Sequence, residues 1–245
     1  WKSICPDPVI FITKKNIKPR GFSTNSDLLQ QRKKHLGANL SLSYQNPLQI
    51  VRGFQQYLYD QTARRYLDTC NNVPHVGHQH PRIVQAAQKQ MALLNTNTRY
   101  LYPQLTNYAA ALAATFPDPL NVCFFVNSGS EANELALRMA RTYTGHQDML
   151  AVESGYHGNT NAAIDVSSYK FDGKGGTGAP DHTHLLPMPD TYRGKYRNPL
   201  TAGAKYAAYA QKTIEELAVI DKFPAGFICE SILSCGGQIV LPKGY

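Results

Sequence analysis

The chain has 245 residues, 42% of them hydrophobic and 17% charged, the make-up of a globular protein rather than a disordered or collagen-like one. Its apolar runs are short, residues 122–126 being typical, and none approaches the ~20 residues of a membrane-spanning helix. The net charge is +8, but eight basic side chains (Lys2, Lys14, Lys15, Lys18, Arg20, Arg32, Lys33, Lys34) and two acids (Asp7, Asp27) lie in residues 1–36, which leaves +2 on the other 209 and does not support a broad nucleic-acid-binding face.

Residues 1–36 are polar, basic and weakly periodic, and read as an arm with one short helix over 27–35. Segments 55–60 and 65–68 flank a short polar turn and carry Tyr57, Tyr59 and Tyr66, which predicts a β-hairpin. Residues 71–81 form a turn-rich loop with three histidines. Pro81 then opens a helix in which Val84, Ala87, Met91 and Leu94 recur at spacings of three or four. The Ala-rich stretch 107–115 predicts a second helix. The continuous apolar run 122–126 reads as a strand buried on both faces, and a Ser/Gly turn leads from it into a helix over 131–143. Strands at 149–153, 185–188 and 226–230, a loop at 173–180 and a helix at 203–218 follow. Strands alternating with helices predict an α/β fold with a mainly parallel sheet.

Five cysteines (Cys5, Cys70, Cys123, Cys229, Cys235) make an odd number, and none forms a C-x-x-C pair. Cys123 and Cys229 sit in apolar runs, so the expectation is buried, reduced thiols in an intracellular protein. The first residue is Trp1 and no secretory signal precedes it, so the chain is expected to be cut at its start.

The most informative stretch is Phe124-Phe125-Val126-Asn127-Ser128-Gly129-Ser130-Glu131-Ala132-Asn133. A strand-like run ends, the chain turns through a glycine, and an amphipathic helix begins. Ser128 and Glu131 have capping-box spacing. The first helical turn offers unpaired N–H donors at the positive end of the helix dipole, and two hydroxyls beside them complete an anion pocket. An ordinary N-cap with no ligand reads equally well from these residues. Some 25 residues on lies Glu153-Ser154-Gly155-Tyr156-His157-Gly158-Asn159-Thr160, just after a predicted strand. In a parallel sheet this loop emerges at the same edge as the Ser128–Ser130 turn. An aromatic–His pair between glycines suits a flat ligand, and a plain turn with a surface Tyr fits the same local residues.

S-G-S-E-A-N opening a helix and followed by G-Y-H-G resembles the class III aminotransferases, pyridoxal-phosphate enzymes of the type I, aspartate-aminotransferase-like fold. The resemblance extends through Tyr66-Leu67-Asp68, Asn72-Val73-Pro74-His75-Val76-Gly77-His78-Gln79-His80-Pro81 and Asn97-Thr98-Arg99-Tyr100-Leu101-Tyr102. It continues through Ser168-Tyr169-Lys170-Phe171-Asp172-Gly173, Cys229-Glu230-Ser231 and Gly236-Gly237-Gln238, and covers about residues 28–245. The histidine-rich run looks most like the branch of alanine–glyoxylate aminotransferase 2-like proteins and the phospho-lyases of phosphoethanolamine and phosphohydroxylysine.

The resemblance implies pyridoxal 5'-phosphate as cofactor. Ser128, Gly129 and Ser130 would hold its phosphate, Tyr156 would stack on its ring with His157 beside it, and Glu230 would end a strand near the ring edge. Residues 97–102 would shape the substrate entrance. The substrates implied are an amine or amino acid and a keto acid, the assembly a homodimer, with neither nucleic acid nor membrane as partner. The compartment implied is the cytoplasm, with the mitochondrial matrix as an alternative. Residues 1–36 read as a basic arm, 37–106 as the N-terminal part of a small domain with an interface segment, and 107–245 as the first part of the cofactor-binding domain. The family pattern continues past Tyr245 with an Asp for the pyridine nitrogen and the Schiff-base Lys, so the 245 residues are expected not to transaminate alone. Lys170, Lys174 and Lys243 stand in the wrong context for that nucleophile.

Three other patterns carry less. Gly173-Lys174-Gly175-Gly176-Thr177-Gly178 matches a dinucleotide fingerprint letter for letter, but no helix is predicted after it. His75, His78 and His80 lack the i,i+4 register and the Cys pair of a zinc site. No phosphate-binding P-loop or hydrolase elbow occurs. The competing functions are a phospho-lyase of the same fold and a non-catalytic homologue that binds phosphorylated ligands through the Ser128–Ser130 turn.

Overall fold

A computed structural model of the chain describes residues 23–71 and 73–245. Residues 1–22 of the basic arm, with Cys5, and Asn72 of the histidine-rich loop lie outside the described residues. The chain divides into two compact units, Trp1–Leu101 and Tyr102–Tyr245.

In the first unit, helix α1 spans Asn25–His35. Thr24 starts it with a reciprocal cap: the Asp27 N–H donates to the Thr24 hydroxyl and the Thr24 N–H donates to the Asp27 carboxylate, both at 3.1 Å. Strands β1 (Ile50–Phe54), β2 (Tyr57–Asp60) and β3 (Arg65–Leu67) form an antiparallel sheet in that order. The predicted hairpin is β2–β3, and β1 is a strand beyond those expected. Asp60 closes the β2–β3 turn, accepting from the N–H groups of Thr62 (2.9 Å) and Arg64 (3.0 Å) and from the Tyr66 hydroxyl (2.9 Å). Helix α2 (Pro81–Leu93) begins at Pro81 as the spacing predicted, but its apolar stripe is not covered: Met91 is 69% exposed.

The second unit opens with α3 (Pro103–Ala113) and continues with α4 (Gly129–Thr144), β4 (Asp148–Val152), α5 (Asn161–Asp165), α6 (Ser168–Phe171), β5 (Thr183–Leu186), α7 (Ala202–Val219) and β6 (Pro224–Ile228). β4 lies between β5 and β6, parallel to both. All five residues of this central strand are buried, as an apolar strand with neighbours on both sides and helices above should be. Met149 and Ala151 of β4 pack with Leu137 of α4 and with Val166, and Leu185 and Ile228 join them from the flanking strands. Among the described residues no helix is long and apolar enough to cross a membrane.

Two expectations need correction. Residues 122–126 form no strand, and Val122 (75% exposed) and Phe124 (62%) are not buried. Among the described residues no segment pairs with this run, so its backbone has no ladder. It lies against α3 instead, with the Phe125 ring stacked 5.3 Å from Tyr108 and Cys123 Sγ 3.8 Å from the Ala109 carbonyl. An apolar run marks a strand only where a neighbour supplies hydrogen bonds. The four cysteines among the described residues are free thiols, but Cys70 and Cys235 are exposed and Cys123 and Cys229 only half-buried.

Candidate functional site

The site is built where α4 begins and β4 ends. Ser128 caps α4 from an extended conformation, and its hydroxyl accepts from the Glu131 N–H at 3.1 Å. The return arm of the expected capping box goes one residue further back: Glu131 accepts from the Asn127 N–H at 2.6 Å rather than from Ser128. This leaves the first turn open. Among the described residues the N–H groups of Gly129 and Ser130 find no acceptor. A Cβ built on Gly129 would meet no atom within 4 Å, so free space lies beside those donors.

The loop after β4 comes to this turn. The Asn159 N–H donates to Ser130 Oγ at 3.1 Å, which leaves the Ser130 proton available to a ligand. Asn133, one turn into α4, donates from its amide to the His157 carbonyl at 2.8 Å. The His157 N–H donates to Ser167 Oγ at 2.8 Å, and Ser167 in turn donates to the Ala163 carbonyl. The Ser154 N–H donates to Ser168 Oγ at 2.6 Å. Glu230 stands two residues beyond the end of β6, a correction to its expected place in the strand. One of its oxygens accepts from the Tyr156 N–H at 2.9 Å and the other from the N–H groups of Ser234 and Cys235.

The Tyr156 ring is half-buried. The Tyr169 ring meets it edge-on at 6.0 Å, and the Lys170 ammonium stands 5.4 Å from its centre. His157 is buried, and its Nε2 has no partner among the described residues. Burial pushes its pKa below the ordinary histidine value against the opposing pull of the Glu230 carboxylate. Burial, reinforced by Glu230, pushes the Cys229 and Cys235 thiols up. Burial, with Cys229 nearby, raises the Tyr245 phenol to about 12.

All six residues picked from the sequence, Ser128, Gly129, Ser130, Tyr156, His157 and Glu230, therefore fall in one connected cluster. Asn133, Ser167, Ser168 and Lys170 belong to it as well and were not picked as site residues; Asn133, Ser168 and Lys170 stood within motifs of the resemblance, and Ser167 stood in none. The cluster suits a ligand that joins a phosphate to a flat ring: free N–H donors, an available hydroxyl and open space at one end, a tyrosine ring at the other. His78 of the histidine-rich loop is bound to Asp68 at 2.7 Å, and among the described residues no group of side chains could hold a metal ion. A separate cavity of about 620 Å³ in the first unit is lined by Phe54, His78 and His80 and includes none of the six.

Residues 41–245 match the aminotransferase class-III family. An alanine–glyoxylate aminotransferase 2-like protein of Drosophila melanogaster is 44% identical over 227 residues, 91% of this chain and 46% of its own length. An ethanolamine-phosphate phospho-lyase homologue of Caenorhabditis elegans is 38% identical over 233 residues, 91% of this chain and 50% of its own. Among solved structures, a phospholyase from Arthrobacter in complex with phosphoethanolamine superposes with a TM-score of 0.81 at 34% identity, covering 89% of this chain and 51% of that one. The chain spans about half the length of the relatives it matches.

Proposed function

The chain belongs to the class-III aminotransferase family, and from that membership we propose that it carries the phosphate anchor and ring platform of a pyridoxal 5'-phosphate enzyme that moves an amino group between an amine or amino acid and a keto acid. The observation that carries this reading is the single hydroxyl of Ser130, which belongs to the anion-binding turn and receives the Asn159 N–H of the tyrosine loop. Anchor and platform are thus joined by a hydrogen bond.

Ser128 fixes the helix start, and Gly129 and Ser130 bind the phosphate through backbone N–H and hydroxyl. Tyr156 supports the ring, with His157, whose pKa burial lowers, beside it. Glu230 holds the Tyr156 backbone in register. Bound pyridoxal 5'-phosphate supplies the electron sink of the reaction. This chain's own residues bind and orient it, and no residue of the chain is assigned the covalent attachment.

Residues 1–36 act as the arm, 37–106 as part of the smaller domain with an interface segment, and 107–245 as part of the cofactor domain. The complete enzyme is a homodimer. The free thiols support a reducing compartment, cytoplasm or mitochondrial matrix.

A second reading, supported by the relatives named for phosphoethanolamine chemistry, is phospho-lyase activity on the same cofactor. Supplying phosphoethanolamine to the cofactor-loaded complete enzyme separates the two: released phosphate marks the lyase, and an amino group passed to a keto acid marks the transferase. The cofactor assignment itself is tested by titrating pyridoxal 5'-phosphate into the chain and following its absorbance. Ser130→Ala weakens the binding by roughly tenfold; an unchanged affinity would remove Ser130 from the site.

A further inference from the structure

The tyrosine loop lacks a ladder of its own, and its backbone is held by side chains brought from elsewhere. Ser168 takes the Ser154 N–H, Glu230 the Tyr156 N–H, Ser167 the His157 N–H, Asn133 the His157 carbonyl and Ser130 the Asn159 N–H. Residue 157 is the only one of these held at both its N–H and its C=O. The two side chains that do so come from opposite directions: Asn133 from α4, the helix that carries the anion-binding turn, and Ser167 from the start of α6.

We infer that Ser167 and Asn133 are the positioning residues of the ring platform, fixing Tyr156 through the backbone of His157. The inference rests on the proposed cofactor reading for its consequence, but not for its geometry.

Ser167 is fully buried, and its hydroxyl is committed in both directions. It accepts from the His157 N–H and donates to the Ala163 carbonyl, so its proton has one place to point. An alanine there leaves two buried backbone groups without partners, and the loop can satisfy them only by moving toward water. The peptide that moves is the one following Tyr156. Ser154 sits at a φ of +60°, a conformation a serine adopts only when neighbours hold it. Its partner Ser168 adjoins Ser167, so release of one loosens the other. Nothing in this chain of contacts passes through the Gly129 and Ser130 N–H groups. Loss of Ser167 therefore disturbs the ring platform and spares the N–H donors of the phosphate anchor.

The experiment uses the whole chain with four variants: Ser167→Ala, Ser167→Thr, which keeps the hydroxyl, Asn133→Asp, which keeps the shape but cannot donate, and Ser130→Ala as the anchor control. Hydrogen–deuterium exchange without ligand is read over residues 154–159 and over β4. Affinities for pyridoxal 5'-phosphate and for inorganic phosphate are measured in parallel. Ser167→Ala and Asn133→Asp are expected to speed exchange over 154–159 at least tenfold while β4 stays protected. Both should weaken pyridoxal 5'-phosphate by roughly tenfold, and Ser167→Ala, which adds no charge, should leave inorganic phosphate within about twofold. Ser167→Thr should restore both readouts toward wild type, and Ser130→Ala should weaken both ligands. Unchanged exchange over 154–159, or a parallel loss of both ligands in Ser167→Ala, would overturn the inference. If Ser167→Ala does not fold, Asn133→Asp decides by the exchange over 154–159. If the wild-type chain binds no pyridoxal 5'-phosphate, the cofactor reading fails and the exchange data alone decide the positioning roles.

Discussion

Gly158 lies directly against Ser130: a Cβ on Gly158 would stand 2.8 Å from both the Cα and the Oγ of Ser130, and the backbone φ at Gly158 is +137°. Both facts forbid a side chain there, the first by contact with backbone and the second by conformation. The loop that bears Tyr156 can therefore reach the head of α4 only through a glycine.

Gly158→Ala should accordingly lower stability by about 3 kcal/mol, from strain and displaced backbone together. Gly129→Ala is the contrasting case. Open space surrounds its Cβ and the position is helical, so stability should change by less than about 1 kcal/mol. The added methyl nevertheless narrows the approach to the free N–H groups, and phosphate affinity should fall. Urea denaturation and phosphate titration on both variants separate the two behaviours; equal stability losses would contradict the packing.

His157 predicts a pH dependence. Burial lowers its pKa from the ordinary value near 6.5, so the unfolded chain takes up a proton more readily than the folded one. This contribution is fully present above pH 6.5 and is lost as pH falls from there through the lowered folded value. Urea midpoints taken at half-unit steps from pH 7.5 to 5 should decline across that window. His157→Gln should flatten the decline, and a slope that survives the substitution would assign it to another group.

Much of the site was legible because its signals are local. Ser128 and Glu131 mark a helix start within four residues, and Gly155 and Gly158 punctuate the loop that follows a strand. The run 122–126 was misread because a strand depends on a partner that no local pattern contains. β1 escaped because Arg52 and Gly53 interrupt its apolar residues and its pairing with β2 shifts register between Ile50 and Arg52. The roles of Ser167 and of Asn133, which closes S-G-S-E-A-N, were not legible for a third reason. Their partner His157 lies 10 and 24 residues away, and a single long-range hydrogen bond leaves no periodicity behind.

Asp60 contributes to the acid stability of the first unit, beside Asp68, whose carboxyl is held lower still by the Asn71 N–H and by His78. The Thr62 hydroxyl, then burial in the opposite sense, then Tyr66 and the backbone N–H groups of Arg64 and Thr62 leave the Asp60 carboxyl lowered to about 2. A depressed carboxyl contributes stability above its unfolded value near 3.9, and that contribution is lost as pH falls from about 4 to about 2. Asp60→Asn should remove this acid component from the β1–β2–β3 sheet while the pH 5–7 behaviour tied to His157 persists. Circular dichroism through an acid titration of both proteins checks it; identical acid transitions would show that Asp60 makes no such contribution.

Leu137 links the core to the site. It is almost fully buried on α4 among Met149 and Ala151 of β4 and Val166, and the same helix carries Ser128, Gly129 and Ser130 at its head. Removing three carbons from so enclosed a place costs the transfer energy of the side chain and leaves a cavity. Leu137→Ala should therefore lower stability by about 2–5 kcal/mol, and Leu137→Met, which nearly conserves volume, by less than about 1.5 kcal/mol. Because α4 is seated on β4 through this residue, the alanine variant should also lose protection over residues 154–159 in hydrogen exchange. Loss confined to α4, with that loop unchanged, would show that the side-chain ties to Ser167, Ser168 and Glu230 hold the loop without help from the helix.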